Sequence, residues 1–153
     1  MEDILKQAKL KALNLLTDMD RTEAQLRQKL KQKSYEEHII EQAIEYVKSF
    51  GYIDDAKYAQ RFVENRKKTK SSQEITAMLC QKGVDRELIT EALGECYTPE
   101  DAVEAIRHLA EKKHYSFQNS TDKEKKKLYE YFLRKGFYYE DIRQVIQNSF
   151  GNT

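Results

Sequence analysis

The chain has 153 residues, of which 35% are charged and only 39% are hydrophobic. Such a lean apolar fraction argues against one thick core, and no apolar run approaches the roughly 20 residues that a membrane-spanning helix needs. A net charge of +1 excludes a uniformly basic protein that wraps nucleic acid, although the charge is unevenly distributed. With 5 glycines and 1 proline, the composition predicts an all-α protein.

The cysteine pattern bears on the compartment. Cys80 and Cys96 lie far apart in the sequence and outside any CxxC motif. Two separate thiols fit a reducing environment better than a disulfide framework. No signal peptide opens the sequence. We therefore expect a cytoplasmic protein without membrane association.

The first third of the chain predicts three helices. Apolar residues from Ile4 to Leu16 keep a 3.6-residue rhythm. Thr22 and Gln25 form a capping box that opens a second helix, which ends near Ser34. A third helix carries the apolar residues Ile39, Ile40, Ala43, Ile44 and Val47.

A joint follows at residues 51–63. Gly51 is expected to close the third helix in the left-handed conformation, and Tyr52 and Ile53 can fold back onto it. Asp54 or Asp55 then caps the next helix. A structural role at a helix–loop–helix corner explains the two aspartates better than a catalytic role does. The next helix has an apolar stripe of Tyr58, Ala59, Phe62 and Val63.

The same pattern then returns twice. Ser71 and Glu74 form a second capping box, and Gly83 stops the helix that they open. Pro99 begins a third round, with a stop at Gly136. The remaining apolar positions are Ile75, Leu79, Leu88, Ile89, Ala92, Leu93, Ala102, Val103, Ile106, Leu109, Ala110, Leu128, Phe132, Ile142, Val145 and Ile146.

Matched spacings define an internal repeat. Positions 26, 30, 34, 40 and 44 recur at 75, 79, 83, 89 and 93, an offset of 49 (26 to 75), and again at 128, 132, 136, 142 and 146, an offset of 53 (75 to 128). We predict three tandem three-helix repeats, at residues 1–51, 52–97 and 98–153, with about nine helices. Repeat chains of this kind tend to be elongated and curved, which suits binding along an extended partner.

Signals of catalysis are missing. The sequence contains no GxGxxG and no GxxxxGK[ST] phosphate loop. His38, His108 and His114 are isolated, with no HExxH motif or His–Cys cluster. We therefore expect no enzyme activity, no cofactor and no metal site.

Clusters of basic residues are the strongest candidate for a binding site. On one interpretation, these clusters are solvated helix faces, with lysines favoured near helix C-termini. On the other, they contact a polyanion or an acidic protein surface. Basic second helices and acidic third helices, repeated along the chain, would make a striped surface. The first repeat has its own basic stretch from Arg21 to Lys33. The candidate contact residues are Arg61, Arg66, Lys67, Lys68 and Lys70 in the second repeat and Lys123, Lys125, Lys126, Lys127, Arg134 and Lys135 in the third.

Aromatic residues follow the last stop signal. We expect Phe137 in the core, with Tyr138 and Tyr139 exposed for contact or packed at a rim.

At these positions the chain resembles the RecX family of bacterial regulators of the RecA recombinase. The joint at residues 51–63 matches that family's Gly-Tyr-hydrophobic-Asp-Asp-x-x-Tyr-Ala-x-x-Phe-Val hallmark. Residues 21–26, 79–84 and 133–137 resemble its signatures in the three repeats, and the similarity spans roughly residues 8–148. The chain departs from the family pattern at Ser34, where glycine is common, and at residues 125–127, where lysines replace an arginine-richer run.

The resemblance implies function by binding. RecX-like proteins lie in the groove of the RecA–DNA filament, inhibit its ATPase and strand exchange, and limit its growth. A role in DNA recombination, repair and the SOS response follows, with single- or double-stranded DNA as a further contact and a monomer as the expected state. The alternative is a general DNA-binding helical protein without a recombinase partner; a helical scaffold for another protein is a further one.

Overall fold

The computed structural model of the chain describes residues 2–115 and 119–151, and the side chains of residues 3–115 and 119–147. The described ranges contain nine α-helices and no strand. The helices are α1 (Glu2–Asp18), α2 (Glu23–Gln32), α3 (Glu37–Ser49), α4 (Asp55–Arg66), α5 (Ser72–Gln81), α6 (Arg86–Cys96), α7 (Pro99–Lys112), α8 (Asp122–Arg134) and α9 (Tyr139–Gly151). The all-α prediction is confirmed.

The second helix of each repeat ends in the same way. The residues that follow these helices, Ser34, Gly83 and Gly136, have left-handed φ values of 68°, 86° and 96°. The next amide donates back to a carbonyl five residues earlier, as in Val84 to Leu79 at 3.1 Å and Phe137 to Phe132 at 3.1 Å. This repeated closure confirms the register predicted from the offsets. The core positions of the register are buried as well, apart from Leu93, which is half-buried.

The joint at residues 51–63 folds as expected. Gly51 has a φ of 73°, and Ile53 is buried. Tyr52 stacks on Phe50, with ring centroids 5.8 Å apart, but it stays 57% exposed. Asp54 is the cap of α4, because its carboxylate accepts the N–H of Lys57 at 3.1 Å.

The chain groups into two compact units. Unit 1 contains Met1–Ala59 and Leu79–Ile89, and unit 2 contains Gln60–Met78 and Thr90–Thr153. Helices α4, α5 and α6 therefore contribute residues to both units. The core of unit 1 includes Ala8, Ala12, Leu26, Leu30, Ile39, Ile40, Ala43, Ile44, Val47 and Ile53. The core of unit 2 includes Val103, Ala105, Ile106, Ala110, Leu128, Phe132, Phe137, Ile142, Val145 and Ile146. The repeat boundaries at 51/52 and 97/98 and the expected curvature stay predictions.

Candidate binding surface and the repeat junctions

A repeat junction in unit 1 joins α2 to the end of α5. The Thr22 hydroxyl accepts the N–H of Gln25 at 3.1 Å, and it donates to the carbonyl of Lys82 at 2.6 Å. A Cβ placed on Gly83 would lie 2.3 Å from the Cβ of Ala24. The Thr22 hydroxyl thus forms two hydrogen bonds at once. Ala24, in the first turn of α2, leaves no room for a side chain at residue 83. We call this contact the first junction.

Unit 2 contains the same arrangement one repeat later. The Ser71 hydroxyl accepts the N–H of Glu74 at 3.1 Å and donates to the carbonyl of Lys135 at 2.6 Å. A Cβ on Gly136 would lie 2.8 Å from the Cβ of Gln73. We call this contact the second junction. Both capping boxes predicted from the sequence are confirmed, and each also links successive repeats.

The basic residues predicted in the second repeat divide by role. The Lys67 ammonium lies 3.2 Å from the carboxylate of Glu64 and 3.6 Å from that of Asp101, and it donates to the carbonyl of Cys96 at 3.3 Å. Its hydrogen bond to Glu64, above all, raises the pKa of Lys67. The guanidinium of Arg66 lies 5.1 Å from the centre of the Phe62 ring. Arg61 and Lys68 are exposed, and Lys70 is half-buried.

Lys135 in the third repeat is also engaged inside unit 2. Its ammonium lies 3.3 Å from the carboxylate of Glu74 and 5.6 Å from the centre of the Tyr131 ring. Its carbonyl accepts the hydroxyl of Ser71. Lys67 and Lys135 therefore pair with carboxylates inside unit 2. No local pattern indicates this role, because Asp101 and Glu74 are distant from these lysines along the chain.

Helix α8 brings four predicted residues together. Counted at 100° per residue, positions 123, 127 and 134 fall within about 40° of one another, and position 126 lies on the adjoining strip. All four side chains are exposed, and none has an ion pair among the described residues. Lys125 lies on the opposite side, is half-buried and interacts within the chain. We call Lys123, Lys126, Lys127 and Arg134 the α8 basic face.

The predicted stripe of basic second helices is wrong for the middle repeat. Helix α5 has the sequence SQEITAMLCQ, which contains no lysine or arginine and one glutamate. The candidate basic residues of that repeat lie in the second half of its first helix, α4, and in the loop after it, as the sequence indicated. The charge pattern is thus not repeated with the fold.

Unit 2 also contains a cavity that the sequence did not reveal. Its volume is about 400 Å³, and its lining includes Gly94, Tyr97, Phe137, Tyr138 and Asp141. Phe137 is buried, whereas Tyr138 and Tyr139 are 59% and 53% exposed, as expected. Burial, and after it the charge of Glu140, raises the pKa of Asp141. The available signal was Gly94, a glycine inside α6.

Two other kinds of site were sought in the described part of the chain. No group of three or more His, Cys, Asp or Glu side chains is arranged to hold a metal ion there. None of the described helices combines the length and the apolar character needed to cross a bilayer.

Comparisons with known proteins agree with this architecture. Three family models match the chain: the first three-helix domain of RecX at residues 8–46, the second at 54–93 and the third at 100–146. The chain is 32% identical to the regulatory protein RecX of Clostridium acetobutylicum, over 97% of this chain and 72% of that protein. It is 35% identical to the RecX of Caldanaerobacter subterraneus subsp. tengcongensis, over 92% of this chain and 70% of the relative.

Other relatives extend the comparison. The chain is 36% identical to the RecX of Clostridium botulinum strain Eklund 17B, over 84% of this chain, and the match spans 62% of that relative's length. The crystal structure of RecX from Lactobacillus salivarius superposes with a TM-score of 0.82 at 27% identity, covering 97% of both chains.

Fold and junctions together define an all-α protein of three tandem three-helix repeats. The chain belongs to the RecX family. This is a family of regulatory proteins and not an enzyme family.

Proposed function

We propose that this chain binds the filament that a RecA-type recombinase forms on DNA and modulates it, mainly by inhibiting ATP hydrolysis, strand exchange and filament growth. The observation that carries the proposal is the α8 basic face in a chain that belongs to a family of regulatory proteins. The protein acts by binding and not by catalysis. DNA recombination, DNA repair and the SOS response are the processes in which such an activity would operate.

The α8 basic face is suited to an acidic surface. Its four cations have no carboxylate partner among the described residues, so binding a partner breaks no internal ion pair. Lysines act as point charges, and only Arg134 offers the planar fork that pairs two oxygens at once. We therefore expect electrostatic attraction and orientation from this face more than recognition of one particular group.

The remaining features of the proposal follow from the sequence. We propose repeats at 1–51, 52–97 and 98–153, and each of the three matched ranges lies inside one of them. We also propose that the protein is a cytoplasmic monomer, and that single- or double-stranded DNA in the filament is a secondary contact.

The test is DNA-dependent ATP hydrolysis by the recombinase of the same organism, titrated with this protein. We expect inhibition at well below one molecule per recombinase protomer, because a molecule that blocks filament growth affects many protomers. Absence of inhibition at equimolar protein would overturn the proposal.

A charge-reversal variant assigns the contact to the α8 basic face. Lys123→Glu, Lys126→Glu and Lys127→Glu combined should raise the half-inhibitory concentration roughly tenfold, a loss of about 1.4 kcal/mol. The matched control reverses three exposed lysines of the first repeat, Lys29, Lys31 and Lys33. An equal loss in both variants would mean that net charge matters and the α8 basic face does not.

The alternative of a general DNA-binding protein predicts a different result. Fluorescence anisotropy with single-stranded DNA alone would then show tight binding, with a log–log salt slope of about one unit per phosphate neutralised. Such binding without any effect on the recombinase would favour the alternative.

A further inference from the structure

The unit 2 cavity lies where α6 ends and α7 and α9 begin. Its wall is mainly apolar, with Leu93, Pro99, Ala102 and Phe137 in the lining and Tyr138 exposed beside them. A volume of about 400 Å³ lies within the range of sites that bind small ligands or single anchoring side chains. This place is separate from the α8 basic face.

The lining of the cavity includes a glycine inside a helix. Gly94 lies inside α6, where glycine lowers helix stability relative to alanine. The repeat register, with its offsets of 49 and 53, places Glu45 at the same position in the first repeat and Gln147 in the third. A Cβ added at Gly94 would meet no atom within 4 Å. Neither backbone conformation nor close packing therefore requires this glycine, and a larger residue can be placed in the cavity lining there without a clash at its Cβ.

One carboxylate in the lining has no partner among the described residues. Asp141 is half-buried, and its carboxylate accepts no hydrogen bond and forms no ion pair among the described residues. The nearby Tyr97 hydroxyl is already used, because it donates to the carbonyl of Lys70 at 2.9 Å. The raised pKa of Asp141 agrees with partial burial beside Glu140 and without a neutralising cation.

The first junction shows what such a corner can hold. The cavity there is lined by Glu23, Lys48, Asp55 and Asp85 among others. The Lys48 ammonium lies 3.3 Å from the carboxylate of Glu23. Burial raises the pKa of Asp55, and the charge of Lys48 partly opposes that rise. The offset of 49 places Tyr97 at the position of Lys48. Unit 2 thus lacks the lysine, and its one carboxylate in the lining, Asp141, lies at the register position of Leu88 and not at that of a carboxylate.

We propose that this cavity takes a lysine side chain, with an apolar side chain next to it, from a partner protein. The apolar walls cover the neighbouring side chain and the lysine's aliphatic stem, and Asp141 pairs with the ammonium group. A nucleic acid strand fits poorly, because Asp141 and Glu140 would repel its phosphates. The inference rests on the proposed function only in taking the partner to be a protein.

The experiment uses the full chain and the peptide acetyl-Leu-Lys-Leu-amide as the probe. In a titration followed by ¹H–¹⁵N NMR, the peptide should shift the amide resonances of Gly94, Gly136 and Asp141, and these shifts should reach a plateau as the site saturates. The control peptide carries norleucine in place of lysine, which keeps the stem and removes the charge. We expect about tenfold weaker binding of the control, or about 1.4 kcal/mol. Equal binding of both peptides, or shifts spread away from the cavity, would overturn the proposal.

Two variants locate the binding. Asp141→Asn removes the charge at nearly constant size, and Gly94→Leu introduces a bulky side chain at a lining position while favouring the helix. Each should weaken peptide binding about tenfold, whereas the exposed control Asp122→Asn should leave it unchanged. Thermal unfolding verifies that each variant is folded, and Gly94→Leu keeps the test valid if Asp141→Asn is not. Unchanged affinity in Gly94→Leu would exclude the cavity.

The outcome is separable from that of the proposed function. The peptide titration contains no recombinase, so it succeeds or fails on the cavity alone. If Asp141→Asn loses peptide binding and also weakens recombinase inhibition, the partner is the filament. If only peptide binding is lost, the cavity binds a different protein and the α8 basic face acts independently.

Discussion

The two repeat junctions share one hydrogen-bonded link but differ in the corner beside it. In both, a capping hydroxyl, from Thr22 or Ser71, donates at 2.6 Å to a carbonyl at the end of the next repeat's second helix. The corner of the first junction is charged and contains Lys48 among carboxylates. The corner of the second is mainly apolar and contains Asp141 without a described partner. The link maintains the repeat packing, and the corners are where side chains can differ without disturbing it.

The pKa values of two aspartates near the junctions are shifted in opposite directions. Burial raises the pKa of Asp55 in the first junction, although the Glu23 N–H, 2.9 Å from its carboxylate, opposes the shift. Burial also acts on Asp101 near the second junction, but hydrogen bonds from Thr98 and the charge of Lys67 outweigh it and lower the pKa. Asp55 and Asp101, each in the first turn of a repeat's first helix, should therefore change the free energy of unfolding with pH in opposite directions.

The largest expected loss of stability follows from a substitution in the first junction. Gly83→Ala should lower the free energy of unfolding by roughly 2–5 kcal/mol, because it combines a left-handed φ with a Cβ placed 2.3 Å from that of Ala24. Gly136→Ala should lower it less, since its added Cβ would lie 2.8 Å from the nearest atom, the Cβ of Gln73, and not 2.3 Å. Urea unfolding followed by circular dichroism measures both changes.

Gly51→Ala is the matched control for these two substitutions. Gly51 has a similar φ of +73°, and a Cβ added there would meet no atom within 4 Å. The substitution should lower the unfolding free energy by only about 1–2 kcal/mol, the backbone contribution alone. If Gly83→Ala and Gly51→Ala proved equal, the close approach at the first junction would have no energetic weight.

Removal of a capping hydroxyl should come next in size. Ser71→Ala leaves both the Glu74 N–H and the Lys135 carbonyl without their partner, so we expect a loss of about 1–3 kcal/mol. Ser71→Thr keeps the hydroxyl and serves as the control in the same urea measurement. A loss below about 0.5 kcal/mol for Ser71→Ala would mean that the link is replaced by water.

The pH dependence separates the two junctions. The lowered pKa of Asp101 means that its contribution is present above the unfolded pKa and is lost as the pH falls through the folded value. Asp101→Asn should therefore lower the unfolding free energy at pH 7 by about 0.5–1 kcal/mol, and this difference should vanish as the pH falls below the folded pKa of Asp101. Urea unfolding across this pH range measures the change.

Asp55→Asn should show the opposite trend. Because its folded pKa is raised, the contribution of Asp55 is fully present below the unfolded pKa and is lost as the pH rises through the folded value. The stability of Asp55→Asn relative to the unsubstituted protein should therefore increase with pH. Parallel pH profiles for the Asp55 and Asp101 variants would contradict the contrast between the junctions.

Local signals predict the helices and their ends correctly. The capping boxes at Thr22 and Ser71 and the stops at Gly83 and Gly136 depend on residues three to five apart, so the sequence displays them directly. The capping box of Thr98 with Asp101 escapes the usual pattern, because aspartate and not glutamate or glutamine closes it.

Long-range contacts could not be predicted in the same way. Thr22 and Lys82 are 60 residues apart, and nothing in the sequence near either one indicates the other. The eleven candidate basic residues cluster along the chain, and clustering does not show that Lys67 pairs with Asp101 or Lys135 with Glu74. Helical periodicity does separate Lys125 from the α8 basic face, because it places Lys125 on the side of α8 that carries Leu128 and Phe132.

The smallest expected effect concerns Ser34, where the first repeat departs from the glycine at the equivalent positions. Ser34 has a φ of 68°, is exposed, and receives no capping hydroxyl from a described residue. A side chain is tolerated there because it points into solvent, whereas one at Gly83 would meet Ala24. Ser34→Gly should raise the unfolding free energy by less than about 1 kcal/mol, since relief of left-handed strain is partly offset by greater freedom of the unfolded chain. If urea unfolding showed a loss instead, the Ser34 side chain would have a stabilising contact, and the glycines at the junctions would be required by packing more than by φ.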